Sequence, residues 1–178
     1  AILAGDLVVS SVYADVDYIG LADVWWADLD TGITGGRGIT VPGAFGITLP
    51  DRPGTAPLRV KRRHFELEIS DDADGTTHLR AQWRERDGRP AHLDAVVEQP
   101  AGHESLNVVI PWDDRRFQYT SKHQARPARG ELVVGHHRRE PGGGSGDAWG
   151  VRDVGRGRWP YRTRGNWGGG AGRAQSGE

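Results

Sequence analysis

His64-Phe65-Glu66-Leu67-Glu68-Ile69-Ser70-Asp71-Asp72-Ala73-Asp74-Gly75-Thr76-Thr77-His78-Leu79-Arg80-Ala81-Gln82-Trp83-Arg84 is the stretch that decides the fold class. On its first side Phe65, Leu67 and Ile69 alternate with His64, Glu66, Glu68 and Ser70. On its second side Leu79, Ala81 and Trp83 alternate with Arg80, Gln82 and Arg84. Period two puts all the apolar residues of a strand on one face, whereas a helix would need a period near 3.6. Between the two runs, Asp71 to Gly75 is a turn cluster whose glycine supplies a positive φ. The stretch therefore reads as a β-hairpin.

Outward from the hairpin the same period continues. Asp87-Gly88 is a second turn signal leading into a strand over Leu93–Glu98. Further strands are expected at Asp6–Tyr13, Ile19–Asp28, Leu58–Arg62, Leu106–Ile110, Phe117–Thr120 and Glu131–Val134. The continuous apolar runs Leu7-Val8-Val9 and Val108-Val109-Ile110 suit strands buried on both faces. Residues 30–57, rich in Gly, Pro and Thr, read as a long connection with room for one short strand. No segment offers the roughly 10–12 residues of helical periodicity that a helix requires. The expectation is an all-β chain, an antiparallel barrel or sandwich.

Composition bounds the function. A hydrophobic share of 36% is low for a folded chain, but disorder normally pairs such poverty with a large net charge, and here the charge is −1. Seven tryptophans also argue for a packed interior. Lys61 and Lys122 are the only lysines, a bias toward arginine that manufactures basic motifs along the whole chain. Zero cysteines exclude disulfides, cysteine zinc sites and thiol catalysis. No apolar run reaches the roughly 20 residues that span a bilayer. With no methionine and a glycine-rich end, the chain is expected to be a piece of something longer, and a signal peptide is not assessable. A cytoplasmic location is the expectation.

Two stretches carry a resemblance. The first is Ser105-Leu106-Asn107-Val108-Val109-Ile110-Pro111-Trp112, with Arg116-Phe117-Gln118-Tyr119-Thr120-Ser121-Lys122-His123 and Pro127-Ala128-Arg129-Gly130 after it. The second runs from Trp149-Gly150-Val151-Arg152-Asp153-Val154 through Trp159-Pro160-Tyr161 to Asn166-Trp167. Tyr18-Ile19-Gly20-Leu21-Ala22 adds support. These residues resemble the bacterial family catalogued as domain of unknown function 2804, itself distantly similar to lipocalin-like two-barrel proteins that include carotenoid hydratases. The resemblance implies two barrel-like halves around a cavity for a bulky apolar molecule, with this chain as an N-terminal and central fragment. The organisation expected on that basis is a partial barrel over residues 1–140, a Gly-rich loop over 141–148, and a Trp/Arg/Gly segment over 149–178 leading into a missing half. The family pattern usually has Trp at Val154, a small apolar residue at Arg158 and Trp at Gly165, so this chain departs from it at three positions.

The segment 149–167 sets Asp153 near Arg156, with Trp149, Trp159, Tyr161 and Trp167 around them. One reading makes the aromatics a pocket wall and the Asp–Arg pair its polar anchor, the acid serving as a proton donor if its carboxyl is desolvated. The other makes the pair a structural ion pair holding a Gly-Arg-Gly turn while the tryptophans fill the core. Tyr119, Thr120, Lys122 and His123 form a second polar cluster that could line a barrel mouth, or be a solvated strand end. The ligand candidates are thus Trp149, Asp153, Arg156, Trp159, Tyr161, Trp167, Tyr119 and Lys122; no catalytic residue can be named.

Other motifs carry less. The arginines at 152, 156, 158, 162, 164 and 173 imitate an RNA-binding tail, but the arginine excess is chain-wide and the net charge near zero, so no nucleic-acid partner is expected. His136-His137 point to opposite sides of a strand, and neither metal nor cofactor is expected. Gly142-Gly143-Gly144-Ser145-Gly146 lacks the ending of a phosphate loop. The expected function is a lipocalin-like module that binds a hydrophobic small molecule such as a lipid or isoprenoid, with its transformation left open. The alternative is a non-enzymatic structural or interaction protein, or a degenerate fragment without independent function. An enclosed cavity favours the first, a filled interior the second.

Overall fold

The computed structural model describes residues 1–143, 147–162, 164 and 168. Among the described residues there are twelve strands and no helix. They are β1 (Ile2–Ala4), β2 (Leu7–Asp15), β3 (Ile19–Asp28), β4 (Thr34–Pro42), β5 (Leu58–Arg62), β6 (Phe65–Asp71), β7 (Thr77–Arg84), β8 (Pro90–Val97), β9 (Leu106–Pro111), β10 (Phe117–Val134), β11 (His137–Arg139) and β12 (Trp149–Arg158). Every pairing is antiparallel, in the order β4-β3-β2-β1-β12-β10-β8-β7-β6-β5, with β9 and β11 also paired to β10. The all-β antiparallel expectation holds.

The deciding hairpin forms as read, Phe65 opposite Trp83 and Leu67 opposite Ala81. All four are buried. The expected strands at Phe117–Thr120 and Glu131–Val134 are the two ends of a single strand, β10. Its first part pairs with β12 and its last part, Ala128 to Val134, with β8. A bulge between His123 and Arg126, with Ala125 at φ 55°, turns the strand between these partners. Bulges bend a strand and sharpen its twist. The sheet consequently curls over itself into a half-barrel.

Curling brings the inner faces of β1–β3 and β6–β8 together. Ile2, Val9, Val24 and Trp26 on one side meet Phe65, Leu67, Leu79, Trp83 and Leu93 on the other in one contiguous core. Each such side chain contributes about 1.5–3 kcal/mol on removal from water. The interior between these sheets is thus filled with side chains.

Two sequence expectations are corrected. Residues 34–42, in a connection given room for one short strand, form the nine-residue strand β4 against β3. Pairing, not apolar content, makes that strand: its glycines at 35 and 36 let it approach Trp26 and Trp25 closely. Val108-Val109-Ile110, expected to be buried on both faces, lies in β9, where Leu106, Val109 and Ile110 are all exposed. β9 has β10 on one side and no strand on the other among the described residues.

Candidate functional site

Where β10 runs beyond the packed core it carries β9 on one edge and β12 on the other, and a three-stranded wing results. Residues directly opposite one another across antiparallel strands point to the same face. One face therefore carries three rows: Asn107–Ser121–Val154, Val109–Tyr119–Arg156 and Pro111–Phe117–Arg158. The other carries Leu106–Lys122–Asp153, Val108–Thr120–Gly155 and Ile110–Gln118–Gly157. Arg152, two residues from Val154 on β12, donates from Nη2 to Asp71 Oδ2 on β6 at 2.7 Å, so the first face is the concave one. Gly150 agrees: a Cβ there would lie 2.4 Å from Val97 Cγ1 in the core, which is why that position is glycine.

The predicted site residues divide between these faces. Asp153 and Arg156 do not pair. Three positions apart on a strand, they point to opposite sides. Asp153 instead sits on the convex face, where Lys122 Nζ donates to its Oδ2 at 2.5 Å and Thr120 Oγ1 to its Oδ1 at 3.1 Å. Trp149 is also on the convex face, opposite Leu3 of β1 and Pro127 of β10. Arg156 faces the concave side and donates to the Pro50 carbonyl in the β4–β5 connection. The expected Gly-Arg-Gly turn is not a turn: Gly155 and Gly157 continue β12.

Tyr119 stands on the concave face, its hydroxyl donating to Asn107 Oδ1 at 3.2 Å. The second polar cluster therefore splits as well, Tyr119 and His123 inward, Thr120 and Lys122 outward. Trp159 and Tyr161 follow the end of β12 and are exposed, Tyr161 fully so. Trp167 lies outside the described residues.

Along the concave face two environments meet. Toward the core lie Arg126, Arg152, Asp71, Ser121 and His123. Arg126 is fully buried and caps the carbonyls of Glu98, Gly75 and Val97 at 2.7, 2.7 and 2.9 Å. Ser121 Oγ lies 3.0 Å from His123 Nε2, and the His103 ring stacks on His123 at 6.1 Å. Burial pushes the His123 imidazole below its usual range, and the Arg126 and Arg152 guanidiniums and His103 add to this against an opposing pull from Asp71. His123 Nδ1 has no hydrogen-bond partner among the described residues, so no carboxylate orients the ring as a serine nucleophile's base would require. Away from the core, Val109 and Phe117 are 62% and 43% exposed beside Tyr119, Arg156 and Arg158.

The best-formed hollows among the described residues are open surface depressions. One, of about 480 Å³, lies against Asp113, Asp114, Arg115, Arg116 and Arg158. The other, of about 350 Å³, lies on the convex side against Glu104, Ser105, Leu106, Lys122, Gln124 and Gly168. No group of three or more His, Asp or Glu side chains able to hold a metal occurs among the described residues. No helix there is long and apolar enough to cross a membrane.

Sequence reasoning missed both buried charged side chains among the described residues, Arg126 above and Glu85. Glu85, 6% exposed, accepts at Oε1 from Trp26 Nε1 at 2.8 Å and Trp83 Nε1 at 3.0 Å, and at Oε2 from the Gly36 amide at 2.9 Å. The available signal was weak: a carboxylate two residues after a buried tryptophan, between Arg84 and Arg86. It joins β3 and β4 to the end of β7 and is part of the scaffold.

A family model described as Domain of unknown function (DUF2804) matches residues 1–178. No curated protein and no solved structure matches the chain.

Proposed function

We propose, for a chain that belongs to the DUF2804 family, a lipocalin-like module that binds a hydrophobic small molecule, such as a lipid or isoprenoid, on the concave face of β9, β10 and β12. The observation that carries the reading is the exposure of Val109 and Phe117 beside Tyr119 on the stretch of concave face that runs beyond the packed core. Apolar groups on a concave surface with a few convergent polar groups are what a small-molecule site is made of. Binding is favoured over transformation. Asp153, the acid singled out for proton donation, is on the convex side and is already accepting from Lys122 and Thr120.

Native mass spectrometry of the purified chain tests this. A reproducible co-purifying mass of a few hundred daltons, absent from a folded Phe117→Ser variant, is expected. Retention of that mass in the variant would move the site elsewhere and sink the reading.

The second reading, a non-enzymatic structural or interaction protein, is favoured by the filled interior between β1–β3 and β6–β8. A clean ligand-free mass from several expression hosts is its expected signature.

A further inference from the structure

We infer that the molecule bound on the concave face is an amphipathic acid, its carboxylate held by Arg156 and Arg158 and its apolar body lying over Phe117, Tyr119 and Val109. The inference rests on the proposed binding site and adds the charge of the ligand.

Arg156 and Arg158 are two residues apart on β12, so their side chains leave the same face about 7 Å apart. Opposite them on β10 stand Tyr119 and Phe117, and beyond Tyr119 on β9 stands Val109. Cations and apolar surface thus lie side by side in adjacent strands. Among the described residues neither arginine is in an ion pair; Arg156 donates to a neutral carbonyl, that of Pro50. Asp113 and Asp114 line the same open depression as Arg158. Asp113 is already engaged by Arg116 Nε at 2.6 Å and by the amides of Arg115 and Arg116.

The convex face of the same three strands shows the contrast. There the cation, Lys122, has its carboxylate, Asp153, directly opposite. On the concave face the arginines have aromatic rings opposite instead. Two planar guanidiniums beside an apolar strip complement a head group that accepts bidentate hydrogen bonds and carries negative charge. A neutral lipid would match the strip and leave the arginines unanswered.

The probes are oleate and oleyl alcohol, which share a chain and differ in the head group, titrated into the full chain below their aggregation limits and followed by tryptophan fluorescence. Oleate is expected to bind at least about tenfold more tightly than the alcohol, the range of a charge-assisted hydrogen bond. The double variant Arg156→Gln with Arg158→Gln is expected to erase that preference and leave the alcohol's affinity unchanged. The double variant Arg59→Gln with Arg80→Gln, on the outer faces of β5 and β7 and paired with Glu68 and Asp94, serves as the charge-matched control. Should the double variant melt early, salt decides on the unaltered chain. At about 1 M sodium chloride, where screening acts within about 3 Å, the oleate preference is expected to shrink. Equal binding of both probes, insensitive to salt, overturns the acid inference and leaves the hydrophobic site standing. Binding of neither probe overturns both.

Discussion

The two halves of β10 make the same hydrogen bonds and live in different surroundings. From Ala128 to Val134 the strand pairs with β8, and alternate residues Ala128, Leu132 and Val134 are buried in the core. From Phe117 to His123 it pairs with β9 and β12, yet Phe117 and the β9 residues Leu106, Val109 and Ile110 are exposed. Antiparallel pairing satisfies backbone groups in both places, but only the first also removes apolar surface from water. The difference teaches where stability and where binding reside. The packed half supplies the free energy, and the wing, held by pairing and by polar anchors, presents surface.

The largest expected effect that sharpens this contrast lies at Glu85. Replacing it by alanine leaves two indole N–H groups and the Gly36 amide buried without an acceptor, and each lost partner costs on the order of 1–3 kcal/mol. Glu85→Ala is expected to lower unfolding free energy by about 3–5 kcal/mol in a urea titration, and Glu85→Gln, which keeps one acceptor oxygen, by about half as much. A loss under about 1 kcal/mol for the alanine variant would show the packed half does not depend on this centre. Next comes Arg126, where the bulge joins the two regions. Arg126→Met retains bulk but strands the carbonyls of Glu98, Gly75 and Val97, so about 2–3 kcal/mol is expected. Unaltered stability there would separate the wing's attachment from that side chain.

The packed half was legible in the sequence and the wing was not, for a physical reason. Phe65, Leu67, Leu79, Ala81 and Trp83 alternate because one of their faces is buried, so the periodicity records the fold directly. In β9 the run Val108-Val109-Ile110 has the composition of a doubly buried strand, and composition does not report that the strand has only one neighbour. The place and length of β4 could not be read because Gly35, Gly36 and Gly38 carry no side chains to alternate; its pairing with β3 is a tertiary event. The expected Asp153–Arg156 pair went wrong for another reason. Asp153 and Arg156 were joined by nearness in sequence, when an interval of three in a strand puts them on opposite faces. The partner of Asp153, Lys122, is 31 residues away and met only through the register of β10 with β12.

Acid offers a smaller way to separate the regions. His123 is held below the usual imidazole range by burial and by Arg126, Arg152 and His103, with Asp71 opposing. As pH falls below about 6.5, the unfolded chain binds a proton that the folded chain refuses, so stability falls with pH. The contribution is fully present above that value and is lost as pH drops through the lower folded one. Urea titrations are expected to show this slope in the parent and a shallower one in His123→Asn. The exposed His64, also lowered, by desolvation first and then by Arg63, Arg84 and Arg37, leaves a residual slope in the variant. Identical slopes would mean that the wing's polar cluster does not sense its own burial.

The smallest expected effect is the most discriminating. Val109 is 62% exposed on a strand with one neighbour, so Val109→Thr removes little buried area and keeps the β-branched shape that suits a strand. The expected change in unfolding free energy is below about 0.5 kcal/mol. The equivalent change at a packed position, Val9→Thr, puts a hydroxyl into a wholly buried site and should cost about 1–3 kcal/mol. Amide exchange gives the same contrast by a second route: β9 amides should exchange through local opening, those of β7 and β8 only near the global limit. If Val109→Thr destabilised the chain as much as Val9→Thr, the wing would be part of the cooperative core. Its exposed apolar face would then belong to the stability of the fold, and the case for a ligand there would lose its footing.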